Sequence, residues 1–188
     1  MKTVSADLDG AVLALSRGGV IAYPTEAVYG LGCNPHDRAA CEHLFRLKQR
    51  PPALGVLLIA ANFEQIRRYA DLTALPEPVR AKVRASWPGP QTWVLPCGAD
   101  VPEWIRGKHA GIALRITAHP IAAGLCRAFG GALVSTSANR HDQAPARDAQ
   151  QVIAYFGDSI DAVVEGPLGG LSQPTPIRDA ISGRIIRA

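Results

Sequence analysis

A proline and two glycines within one eleven-residue segment, residues 23–33, constrain the backbone of this chain more than any other local feature. The segment follows a short apolar stretch, residues 20–22, with the composition of a strand. Pro24 fixes its own φ and keeps the preceding residue extended. Gly30 and Gly32 allow the backbone to turn back or to approach another group closely. We therefore expect a strand that ends in a site loop.

Polar side chains stand at the ends of further predicted elements in the same way. Lys48 and Arg50 end a helical stretch, and a Ser-Thr-Ser-Ala-Asn segment, residues 135–139, follows an apolar strand candidate. Thr25 and Glu26 follow the first strand. Hydroxyls, an amide and two cations at element ends suit a polar, anionic small molecule. The sequence therefore predicts a site for such a molecule.

The length and composition indicate one globular domain over residues 1–188. A chain of 188 residues with 47% hydrophobic content can bury one substantial core and is short for two domains. The longest apolar stretches, such as residues 55–61, are far shorter than the ~20 residues of a membrane span, and the N-terminus does not have the pattern of a signal peptide. The four cysteines show neither zinc-site nor disulfide spacing. We expect a cytoplasmic protein without membrane contact.

The charge balance favours anionic partners. The formal net charge is +4, and sixteen of the twenty basic residues are arginine. Arginine forms bidentate contacts with phosphate and carboxylate, so the composition suits a nucleotide or nucleic acid better than a neutral ligand. Most arginines, among them Arg67, Arg68, Arg80 and Arg84, are expected to be dispersed and solvated.

Helices and short apolar strands alternate along the chain without an internal repeat. Helices are predicted after a cap at Ser5, after a cap at Asp37, and over residues 62–69, 76–86, 119–129 and 148–156. Strands are predicted over residues 20–23, 56–60, 92–95, 112–116 and 133–134, with short strands within 161–187. Arg115, between two apolar residues, must point to solvent or into a polar pocket. The element order is not that of a doubly wound sheet.

The sequence lacks the familiar signatures of phosphate loops and hydrolytic serines. Neither Gly-x-x-x-x-Gly-Lys-Ser/Thr nor Gly-x-Gly-x-x-Gly occurs, and a Gly-x-Ser-x-Gly elbow is absent. The five histidines have ordinary settings, so catalysis by any of them is not expected. The chemistry would depend on positioning and on cations.

Six motifs occur in a fixed order along almost the whole chain. They are Tyr-Pro-Thr-Glu (23–26), Lys-Gln-Arg-Pro (48–51), Trp-Pro-Gly-Pro (87–90), Arg-Ile-Thr-Ala-His-Pro (115–120), Ser-Thr-Ser-Ala-Asn (135–139) and Ile-Arg-Asp (177–179). Each alone is weak evidence. Together they resemble the YrdC-like family, in particular its short, single-domain TsaC type, the threonylcarbamoyl-AMP synthases. The resemblance implies an α/β fold with a twisted, open, mixed β-sheet flanked by helices and a positively lined cavity.

The activity implied by the resemblance is a nucleotidyl transfer. L-Threonine, bicarbonate and ATP would give L-threonylcarbamoyladenylate and pyrophosphate, and the adenylate would serve the threonylcarbamoyl modification of adenosine 37 in tRNA. Mg2+ is expected to accompany ATP rather than to occupy a metal site held by the protein. Downstream proteins that transfer the threonylcarbamoyl group are the implied partners, with at most a weak contact to tRNA.

The resemblance also assigns site residues. The residues implied for the threonine side are Thr25, Arg115, Ser135 and Thr175. Those implied for the nucleotide phosphates and for catalysis are Lys48, Arg50, Ser137 and Asn139, with Arg147 and Arg187 as further candidates for ATP. The chain departs from the family pattern in two places: residues 56–59 lack the histidine that many relatives carry, and Thr175 is the only hydroxyl between two prolines.

Two alternatives remain open at the level of the sequence. A basic concave surface could bind structured RNA, with Lys48 and Arg50 contacting its phosphates. RNA recognition usually adds exposed aromatic residues, and only 6% of this chain is aromatic. A hydrolase of acyl phosphates on the same scaffold would need a base that positions water, and the sequence does not identify one.

Overall fold

The computed structural model describes residues 4–98, 101–140 and 143–187. In these ranges the strands are β1 (Val4–Ala6), β2 (Ile21–Pro24), β3 (Tyr29–Gly32), β4 (Leu57–Ala60), β5 (Thr92–Pro96), β6 (Gly111–Ile116), β7 (Leu133–Ser137), β8 (Ala162–Val164), β9 (Ile177–Asp179) and β10 (Ile185–Arg187). The α-helices are α1 (Leu8–Ser16), α2 (Arg38–Lys48), α3 (Phe63–Ile66), α4 (Glu77–Ala85), α5 (Glu103–Arg106), α6 (Pro120–Phe129) and α7 (Ala149–Phe156). None of the helices in these ranges is long and apolar enough to cross a bilayer.

The strands form one mixed sheet in the order β1-β8-β2-β3-β7-β4-β6-β5-β9-β10. The pairs β1–β8, β8–β2, β4–β6 and β5–β9 are parallel, and the other neighbours are antiparallel. The fold is therefore the mixed, twisted open sheet flanked by helices that the family resemblance implies.

The two faces of the sheet are covered unequally. One face packs against α2, α4, α5 and α7 in the larger apolar core. On the other face, α1 and α6 form a smaller core with side chains such as Ile21, Ile59 and Leu133. Neighbouring residues of a strand point to opposite faces of the sheet. Each strand therefore contributes alternate side chains to the larger core and to this second face.

Helices α1 and α6 leave the other part of this face uncovered. A row of paired residues crosses it from β7 to β9, in the order Ser135, Leu57, Ala113, Val94 and Asp179. With neighbouring strands about 4.8 Å apart, four steps make this row roughly 19 Å wide. We call this uncovered area the cavity floor.

Residues 21–32 form a hairpin, so the loop expected within residues 23–33 is limited to the connection 25–28. Ile21 pairs with Gly32 and Pro24 with Tyr29, and both glycines lie within β3. A Cβ atom at Gly32 would lie 2.5 Å from the carbonyl oxygen of Val134 and 2.8 Å from the Tyr23 ring. Gly32 therefore allows β3 to approach a neighbouring strand, not a ligand.

Two further differences from the sequence-based prediction concern helices α1 and α5. The side chain of Asp7, not Ser5, caps α1 by accepting a hydrogen bond from the Gly10 N–H at 2.9 Å. Helix α5 was not predicted, because its four residues are too few to show a helical period. The cap at Asp37 is confirmed, since its side chain accepts from the Ala40 N–H at 3.0 Å.

Replacing Gly32 with alanine should destabilise the protein by about 1–3 kcal/mol, because the new methyl group overlaps backbone that cannot move freely. Gly131→Ala is the matched control: a Cβ there meets only the Phe129 ring at 3.8 Å. Urea unfolding curves of the two variants measure the difference. Equal stability of both variants would contradict the close approach at Gly32.

Candidate active site

A cavity of about 610 Å³ lies above the cavity floor. Nine of the ten residues that the sequence assigned to the site line it: Thr25, Lys48, Arg50, Arg115, Ser135, Ser137, Asn139, Thr175 and Arg187. The structure thus brings together residues from six separate stretches of the chain. The volume of the cavity is in the range of sites for small molecules and cofactors.

Arg115 forms a deep part of the wall and is 4% exposed. It projects from β6, and its Nη1 donates a hydrogen bond to the Thr175 hydroxyl. Its Nη2 lies 3.3 Å from Oε2 of Glu26. Of the two orientations left open by the sequence, Arg115 therefore adopts the one in a polar pocket. We call this region, with Thr25, Ser135 and Thr175, the Arg115 end.

Glu26 lies behind Arg115 and is 6% exposed. Its Oε1 accepts a hydrogen bond from the Thr117 hydroxyl at 2.6 Å. The same Thr117 oxygen accepts from the His119 N–H at 3.1 Å, and His119 Nε2 lies 3.0 Å from the Pro167 carbonyl oxygen. A chain of polar contacts therefore fixes the carboxylate that faces Arg115.

Gly30 leaves room for the side chains of Thr25 and Ser135 at the Arg115 end. A Cβ atom at Gly30 would lie 3.3 Å from Cγ2 of Thr25 and 3.4 Å from Oγ of Ser135. The Thr25 hydroxyl donates to the Val28 carbonyl oxygen at 2.7 Å, which fixes its rotamer. Behind them, Tyr23 is fully buried, and this burial raises the pKa of its hydroxyl far above the usual range.

Lys48, the last residue of α2, is buried with 6% exposure. Its Nζ donates to the carbonyl oxygens of Ser137 at 2.5 Å and Asn139 at 2.9 Å, and lies 3.3 Å from Oδ1 of Asn139. Burial and the nearby Arg50 lower the pKa of Lys48 to about 8. Lys48 is thus still mostly protonated at neutral pH, and its charge is held by backbone oxygens.

Arg50 follows a helix end that turns sharply. Gln49 has a φ of 52° and caps α2 in the left-handed conformation. The Arg50 side chain then donates from Nε and Nη2 to the Gly55 carbonyl oxygen, at 3.2 and 3.0 Å, and from Nη2 to that of Leu54 at 3.3 Å. Burial lowers its pKa. Both cations of the Lys-Gln-Arg motif therefore hold backbone segments of the cavity wall.

Ser137 and Asn139 form a small network with Lys48. The Ser137 hydroxyl donates to Oδ1 of Asn139 at 2.6 Å. Nδ2 of Asn139 donates to the carbonyl oxygens of Arg140 and Gln143, each at 2.9 Å. We call Lys48, Arg50, Ser137 and Asn139 the Lys48 end of the cavity.

Arg187, from β10, links the two ends. Its Nε and Nη2 donate to the Thr175 carbonyl oxygen at 3.3 and 2.7 Å. Its pKa is lowered first by burial of the guanidinium and then by the positive charges of Arg115 and Arg50. The positive charges of Arg115 and Arg50 thus both act on Arg187, which favours binding of an anion near Arg187.

Arg147 is the one predicted residue that does not line the cavity. It is exposed next to the N-cap of α7, where its N–H donates to the Gln151 side chain. The lining also includes Arg106, His109 and Asp179. Arg106 and His109 had no recognisable signal, because they belong to the unpredicted α5 and the turn that follows it. Asp179 belongs to the Ile-Arg-Asp motif, but no role in the site was predicted for it from the sequence.

The described residues hold no group of three or more His, Cys, Asp or Glu side chains that could bind a metal ion. Asp179 is the one carboxylate of the cavity lining in the described ranges. Its Oδ1 already accepts from the N–H groups of Ile181 and Ser182 and from the Ser182 hydroxyl. The cavity is therefore rich in cations and poor in metal ligands.

The fold and the motifs together define the class of this protein. The Sua5/YciO/YrdC family model, described as "Telomere recombination", matches residues 13–188, and the chain belongs to this family. Similar proteins include a threonylcarbamoyl-AMP synthase of Stenotrophomonas maltophilia, with 51% identity over 96% of this chain and 97% of the relative. Another, from Halorhodospira halophila, is 54% identical over 94% of this chain and 92% of that protein.

Solved structures support the same relationship. The Sua5 protein of P. abyssi, crystallised with L-threonine, superposes with a TM-score of 0.85 at 31% identity. The match covers 92% of this chain and 50% of the Sua5 chain, so this chain spans about half the length of Sua5.

Replacing Lys48 with methionine should lower the free energy of unfolding by about 2–4 kcal/mol, because the partly buried carbonyl oxygens of Ser137 and Asn139 lose their donor. Lys108→Met, at an exposed lysine, is the control and should change stability by less than about 0.5 kcal/mol. Denaturant unfolding followed by circular dichroism measures both. A fully stable Lys48→Met variant would show that Lys48 does not hold this wall.

Proposed function

We propose that the protein is a threonylcarbamoyl-AMP synthase, which makes L-threonylcarbamoyladenylate and pyrophosphate from L-threonine, bicarbonate and ATP. The observation that carries this proposal is the placement of two different anion sites in one cavity. The Arg115 end pairs its cation with hydroxyls and a carboxylate, whereas the Lys48 end joins cations to hydroxyl and amide groups. The names of the close relatives and the Sua5 structure with L-threonine support the same activity.

In this proposal, L-threonine binds at the Arg115 end. Arg115 and Ser135 hold its carboxylate, and Thr25 and Thr175 face its side chain. Fixed side chains suit this task, since positioning of the reactants supplies much of the rate enhancement in such reactions. The hydrogen bonds of Thr25 to Val28 and of Arg115 to Thr175 provide that rigidity.

ATP binds with its phosphates at the Lys48 end. Arg50 and Arg187 contact phosphate oxygens, with Ser137 and Asn139 as neutral donors. Lys48 acts from within the wall, where it keeps Ser137 and Asn139 in place and contributes its positive charge. Arg147, although exposed in the described structure, stays a candidate only for the outer part of the nucleotide.

The chemistry needs two bond-forming steps between these ends. The threonine amine attacks the carbon of bicarbonate, and loss of water gives the carbamate. A carbamate oxygen then bonds to the α-phosphorus of ATP, while the bond from that phosphorus to the β-bridging oxygen breaks and its electron pair leaves with pyrophosphate. Arg187, close to both Arg115 and Arg50, is well placed to neutralise charge at this centre.

Mg2+ is proposed to enter with ATP. The lining offers Asp179 and no carboxylate cluster among the described residues, which fits a cation held by phosphate oxygens and water rather than by a protein cage. When bound, the ion would neutralise the charge of the β- and γ-phosphates.

We place this reaction in the cytoplasm, before the proteins that transfer the threonylcarbamoyl group to tRNA. An RNA-binding role is less well supported, because the cations of the motif line a cavity. A groove for RNA phosphates would present such cations to solvent.

Pyrophosphate release from ATP should require both L-threonine and bicarbonate, because the attacking oxygen belongs to their carbamate. A coupled pyrophosphate assay with each substrate omitted in turn measures this. Release that is equally fast without bicarbonate, or with glycine in place of threonine, would contradict the proposed reaction.

Replacing Arg50 with alanine should lower kcat/KM for ATP by roughly 100-fold or more, near the ~3 kcal/mol expected for a preorganised charge at a phosphoryl centre. Arg46→Ala, at an exposed arginine one turn earlier in α2, is the control and should retain normal turnover. Steady-state kinetics and a thermal melt of each variant separate the effects. Normal turnover with a lower melting temperature would assign Arg50 a structural role alone.

A further inference from the structure

Glu26 is paired with a cation of the cavity, although it does not line the cavity itself. The other ion pairs between described residues, Arg38–Glu42, Arg67–Glu64 and Arg80–Glu77, join neighbouring positions on exposed helix surfaces. The contact between Arg115 and Glu26 is different, because both side chains are buried and lie far apart in sequence. The two ends of the cavity therefore differ in charge: Arg115 has a counter-charge, whereas Lys48, Arg50 and Arg187 form no ion pair within the described part of the chain.

The contact between Glu26 and Arg115 is poorly explained by stability alone. Oε2 of Glu26 and Nε of Arg115 are both buried without a hydrogen-bond partner in the described structure. Buried polar atoms without partners cost free energy, and well-packed apolar residues often replace buried ion pairs without loss of stability. A carboxylate at this position is therefore expected to serve ligand binding.

We propose that Glu26 determines which anion Arg115 accepts, so that this arginine binds the carboxylate of a zwitterionic amino acid and rejects phosphate groups. This inference rests on the proposed function. An amino acid is neutral overall, so its approach to the neutral pair meets no net repulsion. A polyphosphate meets the negative charge of Glu26 directly behind Arg115, and a juxtaposition of like charges at a binding site is strongly unfavourable.

The surroundings of Glu26 keep this charge in place. The Thr117 hydroxyl binds Oε1 at 2.6 Å, and the Leu171 N–H donates to the Glu26 carbonyl oxygen at 2.9 Å. Gly169 packs closely against the Glu26 backbone: a Cβ atom at Gly169 would lie 2.9 Å from the Cα atom of Glu26. Glu26 thus acts through Arg115, as a positioning and specificity-determining residue that touches no substrate.

The test is competition between pyrophosphate and L-threonine for the protein, measured by calorimetric titration of threonine with and without saturating pyrophosphate. In the wild type, pyrophosphate occupies the Lys48 end and should change the Kd of threonine by less than about twofold. In Glu26→Gln, where Arg115 has no counter-charge, pyrophosphate should also bind at the Arg115 end and raise the apparent Kd of threonine by about tenfold or more.

Three further variants isolate the charge. Glu26→Asp retains the carboxylate. Thr117→Val leaves the charge of Glu26 unchanged and removes a hydroxyl that binds Glu26 and accepts from the His119 N–H, so both variants should keep the wild-type insensitivity to pyrophosphate. Glu42→Gln removes the same charge at an exposed position and should have no effect. Circular dichroism confirms that each variant is folded at the temperature of the titration.

Threonine binding that is insensitive to pyrophosphate in Glu26→Gln would overturn the inference, as would equal competition in Glu26→Asp. Neither result would affect the proposed function, which depends on substrate-dependent pyrophosphate release. The opposite outcome is also distinguishable. If pyrophosphate weakens threonine binding only in Glu26→Gln, but the wild-type protein shows no synthase turnover, the inference stands and the proposed reaction is rejected. A wild-type protein that does not bind threonine would overturn both.

Discussion

The incomplete cover of one sheet face is the constraint on which the rest of the structure depends. Helices α1 and α6 bury Ile59 and Leu133 at one side of this face, while the same strands continue beyond the helices. There the floor carries Ser135 and Ala113, and Gly30 leaves room for the side chains of Thr25 and Ser135. A bare stretch of sheet next to a packed one gives a rigid site without requiring a separate domain.

The second feature that defines the site is the way its cations are held, from the buried Lys48 and half-buried Arg50 to the more exposed Arg187. Removing a charge from water is costly, and the protein offsets this cost with backbone carbonyl oxygens more than with carboxylates. Lys48 binds Ser137 and Asn139, Arg50 binds Leu54 and Gly55, and Arg187 binds Thr175. Carbonyl oxygens carry no net charge, so these cations keep their attraction for phosphate. Among the cations that line the cavity in the described ranges, Arg115 alone has a carboxylate partner, which suits it to a different ligand.

Local signals in the sequence placed several residues on helices and strands, and the family resemblance implied the fold. Asp37 precedes a helical period, Pro24 ends a strand, and Arg115 is flanked by apolar residues, so each could be placed on an element. The family resemblance then gave roles to Thr25, Ser135 and Thr175. Arg147 was assigned on the same basis, but its position depends on the chain after Asn139, and the structure leaves it exposed.

Long-range contacts were beyond the reach of the sequence. Lys48 reaches oxygens 89 and 91 residues away, and Glu26 bonds to Thr117, also 91 residues away. Nothing in the neighbouring residues indicates such partners. The sequence showed that two cations end α2, a position that also suits the helix dipole. Only the structure shows that one of them supports the wall of the cavity.

The central claim is that one cavity holds an amino acid at the Arg115 end and a nucleotide at the Lys48 end. The most direct measurement is a crystal structure of the protein with L-threonine and a non-hydrolysable ATP analogue bound together. The account predicts the threonine carboxylate in hydrogen-bond contact with Arg115, the phosphates beside Arg50 and Arg187, and the threonine amine directed toward the α-phosphorus. Phosphates at Arg115, or either ligand bound outside the cavity, would contradict it.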